Sequence, residues 1–199
     1  VMSLFLRSHG YVVEWLDADG SDFPPPHGTA VIPGHAIESM WFQMHIARDL
    51  GDTATLDVAC EVIRRHLEIG WDSQYGGLFY AVDARDADAI RGTAGSVRHE
   101  AGWPFAESKL WWPHTECLYA TLLAYEHCGQ PWCLEWHEKL RKWSYDHFPV
   151  PQHGEWYQKL DRTGKPFTQT VALPVKDPFH LPRALILCIE SLERIHASL

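Results

Sequence analysis

The sequence predicts an all-α protein built from repeated helix pairs, and three observations carry that reading. Apolar residues recur at helical spacing in several stretches, and glycines close those stretches where helices should stop. Two aromatic segments, Gln74-Tyr-Gly-Gly-Leu-Phe-Tyr-Ala-Val-Asp83 and Gln152-His-Gly-Glu-Trp-Tyr-Gln-Lys-Leu-Asp161, align with each other at an offset of 78 residues and lie between similar helix pairs. A match of that kind marks a repeat architecture whose units stack or close into a ring.

The elements follow in order. Phe23-Pro-Pro-Pro-His27 is a rigid lead-in to a first helix, in which Ile37, Met40, Trp41 and Met44 take the i, i+3, i+4, i+7 spacing and which Gly51 closes. Thr53 caps a second helix running to about Ile69, completing a helical hairpin. The aromatic segment 74–83 is expected to be a β-hairpin, and the polar, Gly-rich stretch 83–102 a long loop. Leu118, Leu122 and Tyr125 mark a third helix ending near Gly129, and Trp132 to His147 supplies its partner after Pro131. A second β-hairpin is expected over 152–161. The last helix runs from about Pro182 towards Leu199, with Leu185, Cys188, Ile189 and Leu192 as its buried stripe.

Composition narrows the function. The chain has 199 residues, 46% of them hydrophobic, enough to bury a sizeable core, and residues 1–199 are taken as one domain. A formal charge of −9 with no basic run argues against nucleic acid as a partner. The longest apolar run, Ala184 to Ile189, cannot span hydrocarbon, and Val1 to Arg7 lacks the features of a signal peptide, so a soluble cytoplasmic protein with no membrane contact is expected. The five cysteines include no C-x-x-C pair and read as reduced packing residues. Ten Trp and thirteen His suit a pocket that stacks on sugar rings or moves protons, and equally suit an aromatic-rich core.

Three histidines, His35, His114 and His180, each follow a proline at or near a helix start. In a ring of alternating helices, equivalent helix starts converge on one rim, where the helix dipoles favour anionic intermediates and hold an imidazole neutral. Glu38 lies one turn after His35, and Glu116 lies two residues after His114. Either carboxylate can fix an imidazole tautomer, bind a sugar hydroxyl, or merely complement the dipole. Trp111 and Trp112 are adjacent, so one can face the core while the other stacks on a ligand, and Trp156 has the same two options. No H-E-x-x-H pair, G-x-S-x-G, P-loop or G-x-G-x-x-G motif is present, which leaves metal-free acid and base work on a polar ligand.

Five ordered motifs, Pro33-Gly-His-Ala-Ile-Glu38, Gly76-Gly-Leu-Phe-Tyr80, Lys109-Leu-Trp-Trp-Pro-His-Thr-Glu116, Gly154-Glu-Trp-Tyr157 and Phe179-His-Leu-Pro-Arg183, resemble the N-acylglucosamine 2-epimerase family. The resemblance implies an (α/α)6 barrel with its site at the rim where inner helices begin, and short β-hairpins in the loops. The motifs are those of the C-terminal half of such a barrel. The missing half would then come from the rest of a longer product, from a separate chain, or from a second copy in a homodimer, because an open arc exposes an apolar edge.

Carried over by motif, the resemblance implies that His35 and His180 are the general acid/base pair and that Glu38 and Glu116 are carboxylates of the same pocket. Trp112, Trp111, His114, Lys109 and Arg183 would face the substrate. The implied reaction interconverts N-acyl-D-glucosamine and N-acyl-D-mannosamine by removing and returning the C2 proton through a cis-enediolate, with no metal and no required cofactor. A nucleotide effector, found in some relatives, leaves no motif to read. Other readings are an aldose-ketose isomerase or a cellobiose or mannose 2-epimerase of the same family, a truncated sugar-binding module without catalysis, and a helical-toroid glycosidase using paired carboxylates.

Overall fold

The computed structural model describes residues 1–85, 105–167 and 179–198. Five helices run through them: α1 (Pro33–Leu50), α2 (Thr53–Gly70), α3 (Trp111–Cys128), α4 (Pro131–His147) and α5 (His180–Ala197). Six two-residue strands lie between, β1 (Ala30–Val31), β2 (Val82–Asp83), β3 (Lys109–Leu110), β4 (Pro149–Val150), β5 (Glu155–Trp156) and β6 (Lys159–Leu160). No described helix is long and apolar enough to cross a membrane.

The helix ends follow from local chemistry. Pro33 and Pro131 occupy first-turn positions, where a missing N–H costs nothing. Gly51 and Gly129 end α1 and α3 in the left-handed conformation, as their sequence positions predict. The cap of α2 is Asp52 rather than Thr53: its carboxylate accepts from the Thr55 N–H at 3.0 Å, satisfying a donor that Thr53, one residue inside, cannot reach.

Helix α3 is buried on every side from Trp111 to Ala124, and α1, α2, α4 and α5 all pack against it. The main core joins Ile37, Met40 and Met44 of α1 to Ile63 and Leu67 of α2 and Leu118 and Leu122 of α3. All five cysteines are free and lie in helices. The stripe of α5 that faces α3 is Ala184, Cys188 and Ser191. Leu185 is only half-buried, while Ile189 and Leu192 are exposed, together with Ile186, so the expected stripe is displaced by a residue. This helix is apolar on two sides, and α3 covers the side with the smaller residues. Phe42, Ile46 and Leu50 on α1 are exposed as well.

The repeat at 78 residues is structural. β1, leading into α1, pairs antiparallel with β2 (Ala30↔Asp83, Val31↔Val82), and β3, leading into α3, pairs with β6 (Lys109↔Leu160, Leu110↔Lys159). The bridge Trp71↔Leu78 recurs as Pro149↔Trp156 within the β4–β5 hairpin. The two aromatic segments are therefore hairpins only in their first halves. Their second halves reach back to the strand ahead of an inner helix, since a lone two-residue hairpin has little to stabilise it. The turn at Gly76 and Gly77 needs glycine twice over: φ is +73° at both, and a Cβ at either would lie under 3 Å from the Trp143 indole. The loop expected over 83–102 lies mostly outside the described residues.

Candidate active site

Helices α1, α3 and α5 begin at one end of the helical layer, with α1 and α3 led in by the paired strands β1 and β3. His35 is the third residue of α1, and its imidazole stacks on Trp112 of α3 at 4.9 Å between centroids, with planes 26° apart. His180, the first residue of α5, meets the same indole at 5.5 Å and Trp111 edge-on at 6.0 Å. Gly34 makes the approach possible, because a Cβ there would stand 2.8 Å from Trp112 Cζ3.

Carboxylates hold the far nitrogens of both rings. His180 Nδ1–H donates to Glu116 Oε1 at 2.7 Å, and His35 Nδ1–H donates to Glu14 Oε2 at 3.1 Å. A carboxylate only accepts, so each contact places the proton on Nδ1 and leaves the lone pair of the neutral ring on Nε2. Neither Nε2 has a hydrogen-bond partner among the described residues. Partial burial of His35 opposes its protonation. The Glu14 hydrogen bond and the charges of Glu14 and Glu38 outweigh that, so its pKa stands above the ordinary histidine value.

Glu116 is buried at the centre of this cluster. Its Oε2 also accepts from Trp41 Nε1 at 2.9 Å, and its Oε1 contacts Arg183 Nη2. Glu38, the residue equivalent to Glu116 in the repeat, lies 3.6 Å from the same guanidinium nitrogen. Burial and the nearby Glu116 charge raise the Glu38 pKa, against the pull of His180, Arg183 and His35. Arg183 lies over Phe179 and Trp41, and its Nε and Nη1 are buried without an acceptor among the described residues. Glu38, Glu116 and His180 bring ligand atoms within 4.8 Å of one another, a spacing that would suit a divalent ion. The guanidinium among them already supplies the cation, so the donor set fits a metal poorly.

The structure thus brings together His35, His180, Glu38, Glu116, Trp111, Trp112 and Arg183. It does not bring His114 or Lys109. His114 is fully buried, donating from Nδ1 to Leu110 O at 2.6 Å and accepting at Nε2 from Leu78 N–H at 2.9 Å. Both nitrogens are spent on backbone, and burial drives its pKa to about 3. Lys109 is also fully buried, 3.1 Å from Asp72 and above the Phe79 ring, with its pKa lowered to about 7 by burial against the Asp72 charge. Trp156 stacks on Phe148 in the core. Sequence reasoning missed Glu14, Trp41 and Asp72; of these, only the Trp41 position at helical spacing gave any signal.

The profile of the N-acylglucosamine 2-epimerase (GlcNAc 2-epimerase) family matches residues 1–184. The chain belongs to that family. N-acylglucosamine 2-epimerase of Bos taurus is 34% identical over 188 residues, and that of Homo sapiens 33% identical over 185. These matches cover 92% and 91% of the chain but 41% and 40% of the relatives, so the chain spans about two-fifths of their length. A crystal structure of D-mannose isomerase superposes with a TM-score of 0.74 at 20% identity, covering 95% of this chain and 44% of that one. Cellobiose 2-epimerase from Bacillus thermoamylovorans superposes at 0.71 with 18% identity, covering 96% and 43%. The epimerase family fold is therefore present as roughly half of an (α/α) barrel, with short strands in its loops.

Proposed function

We propose that the chain carries the acid/base pair of a sugar 2-epimerase, interconverting N-acyl-D-glucosamine and N-acyl-D-mannosamine. One observation carries the reading: two imidazoles pack on a single indole, each with Nδ1–H given to a carboxylate and Nε2 left without a partner among the described residues. The identity to N-acylglucosamine 2-epimerases favours the acylated amino sugars as substrates.

The chemistry follows from the groups present. In the opened sugar the C2 proton is acidified by the C1 aldehyde, and a neutral imidazole Nε2 removes it. The resulting enolate, which keeps the acetamido nitrogen on C2, is anionic at O1, where the guanidinium charge of Arg183 and the positive ends of α1 and α5 provide stabilisation. The second imidazole, protonated, returns a proton to C2 from the other face and inverts the centre. An acetamido group at C2 leaves no hydroxyl there from which a simple ketose can form, so the outcome is epimerisation. The abstracted proton stays on the first imidazole while the second gives up its own, exchange with water resets the pair, and no electron is transferred.

The test is proton exchange. Purified chain incubated with N-acetylmannosamine in D2O should incorporate deuterium at C2 and release N-acetylglucosamine. A folded chain that binds the sugar without C2 exchange would instead be a binding module, and a ketose formed from mannose would move the reading to an isomerase.

A further inference from the structure

We propose that Glu14, from the segment ahead of α1, is a positioning residue for His35: its carboxylate fixes the imidazole tautomer that leaves Nε2 free to take a proton. The inference rests on the reading of His35 as a base. No sequence motif includes Glu14, and it lies 21 residues before its partner.

Glu14 is itself held by a chain of buried contacts. His66 of α2 is fully buried, donating from Nδ1 to Val62 O at 2.7 Å and accepting at Nε2 from the Val12 N–H at 3.0 Å. Val13 next to it is buried, and the Glu14 N–H donates to Ala30 O of β1 at 2.9 Å. The backbone on both sides of the carboxylate is thus pinned, while its side chain remains largely shielded, at 18% exposure. His35 is fixed from the opposite direction by the stack on Trp112. A hydrogen bond between two anchored groups orients, whereas one between two mobile surface chains would not.

The arrangement repeats at the second imidazole, where buried Glu116 holds Nδ1 of His180. The two histidines therefore share one design: a carboxylate from another segment on Nδ1, and the Trp112 indole against the ring. The titratable groups around the Glu14–His35 pair are Glu38, one turn along α1, and Tyr80, from the segment after α2, whose phenol is held above its ordinary pKa by burial and by the Glu14 charge. Glu38 also stabilises the protonated ring, but Glu14 is the group that touches Nδ1.

The experiment is long-range 1H–15N spectroscopy of the full chain with 15N-labelled histidine from pH 4 to 9. It compares wild type, Glu14→Gln and Glu14→Ala, and assigns His35 with a His35→Gln sample. In wild type the neutral His35 ring should carry its proton on Nδ1. Glu14→Gln, which still offers an acceptor, should keep that tautomer and titrate at lower pH, and Glu14→Ala should shift the ring towards the Nε2–H form. C2 exchange in Glu14→Ala should fall about 10- to 100-fold with KM unchanged, and Glu14→Gln should recover much of it. A wild-type ring protonated on Nε2, or an unchanged tautomer in Glu14→Ala, overturns the proposal. If wild type shows the expected tautomer pattern but no C2 exchange, the epimerase reading fails and the Glu14 pairing stands.

Discussion

His180 Nδ1 lies 2.7 Å from Glu116 Oε1, and that carboxylate is the only charge on α3 buried among Trp41, His180 and Arg183 in the described structure. Removing it leaves a mostly buried guanidinium without its nearest anion and an imidazole without its tautomer lock. Glu116→Ala is therefore expected to lose about 3 kcal/mol of stability and at least about 100-fold in C2 exchange. Glu116→Gln, whose single amide oxygen can accept from His180 or from Trp41 but not from both, should recover part of the exchange and less of the stability. Urea titration and deuterium incorporation measure the two losses separately. Equal exchange in wild type and Glu116→Ala would show that the carboxylate serves folding alone.

The two imidazoles themselves should separate chemistry from folding. His35 is half-exposed and His180 is at a helix terminus, so neither supports much core. His35→Ala or His180→Ala should lower exchange by about 10² to 10⁴ while circular dichroism stays that of the wild type. A raised pKa at His35 further predicts that the acid limb of the rate profile lies above pH 6.5, because the ring must lose its proton before it can act as a base. A variant that keeps its exchange rate removes that histidine from the reaction.

Much of the fold was legible in the sequence because its signals are local. The glycines after α1 and α3, the prolines opening α1 and α4, and the aromatic repeat all act within a turn or two of chain. The site was legible only where a motif lay on an inner helix start. His114 illustrates the failure. The repeat aligns His35 with Pro113 and His114 with Ala36, which is buried. One residue along a helix turns a side chain by about 100°, enough to swing His114 from the rim into the core. Glu14 was hidden for a different reason: its place depends on the His66 to Val12 contact, across 54 residues, and no periodicity records such a tie.

Lys109 offers a second contrast, since the sequence suggested a sugar contact and the structure buries it. Its ammonium and the Asp72 carboxylate are both inaccessible, and Arg162 meets the same carboxylate at 3.0 Å. Asp72→Ala strands a buried ammonium and should cost about 3 to 5 kcal/mol, with exchange per folded molecule unchanged. Lys109→Met should cost less, because Arg162 still pairs Asp72. Loss of exchange in a folded Lys109→Met would return the lysine to the reaction.

The buried neutral histidines make stability depend on pH. Burial lowers His66 to about 4 and His114 to about 3, against an ordinary value of 6.5. The unfolded chain then binds protons that the folded chain refuses, so their contribution is complete above pH 6.5. It is lost as pH falls towards about 4 for His66 and about 3 for His114. At about 1.4 kcal/mol per pH unit, the contribution is on the order of 3 kcal/mol for His66 and 5 kcal/mol for His114 across their windows. The urea midpoint should fall steadily from pH 6.5 to 5, before most carboxylates titrate. A flat midpoint over that range would mean that the folded chain takes up protons as readily as the unfolded one.

Gly34 gives the sharpest opposition between local and tertiary effects. In an exposed helix, Gly→Ala would add about 1 kcal/mol of stability through helix propensity. At this position the new methyl would meet Trp112 Cζ3 at 2.8 Å and Pro113 Cβ at 2.8 Å, both on a helix buried on every side. The indole cannot retreat into packed core without strain of about 1 to 3 kcal/mol. Gly34→Ala is therefore expected to destabilise the chain. It should also push Trp112 away from His35 and His180, lowering exchange through geometry while leaving every ionisable group in place. Trp112→Phe in the same background removes the indole atoms that clash and leaves the Pro113 contact. It should restore part of the stability without restoring full exchange, because the smaller ring cannot support both imidazoles. A Gly34→Ala variant more stable than wild type would show that the indole moves freely, and with it the common support of the two histidines would be lost.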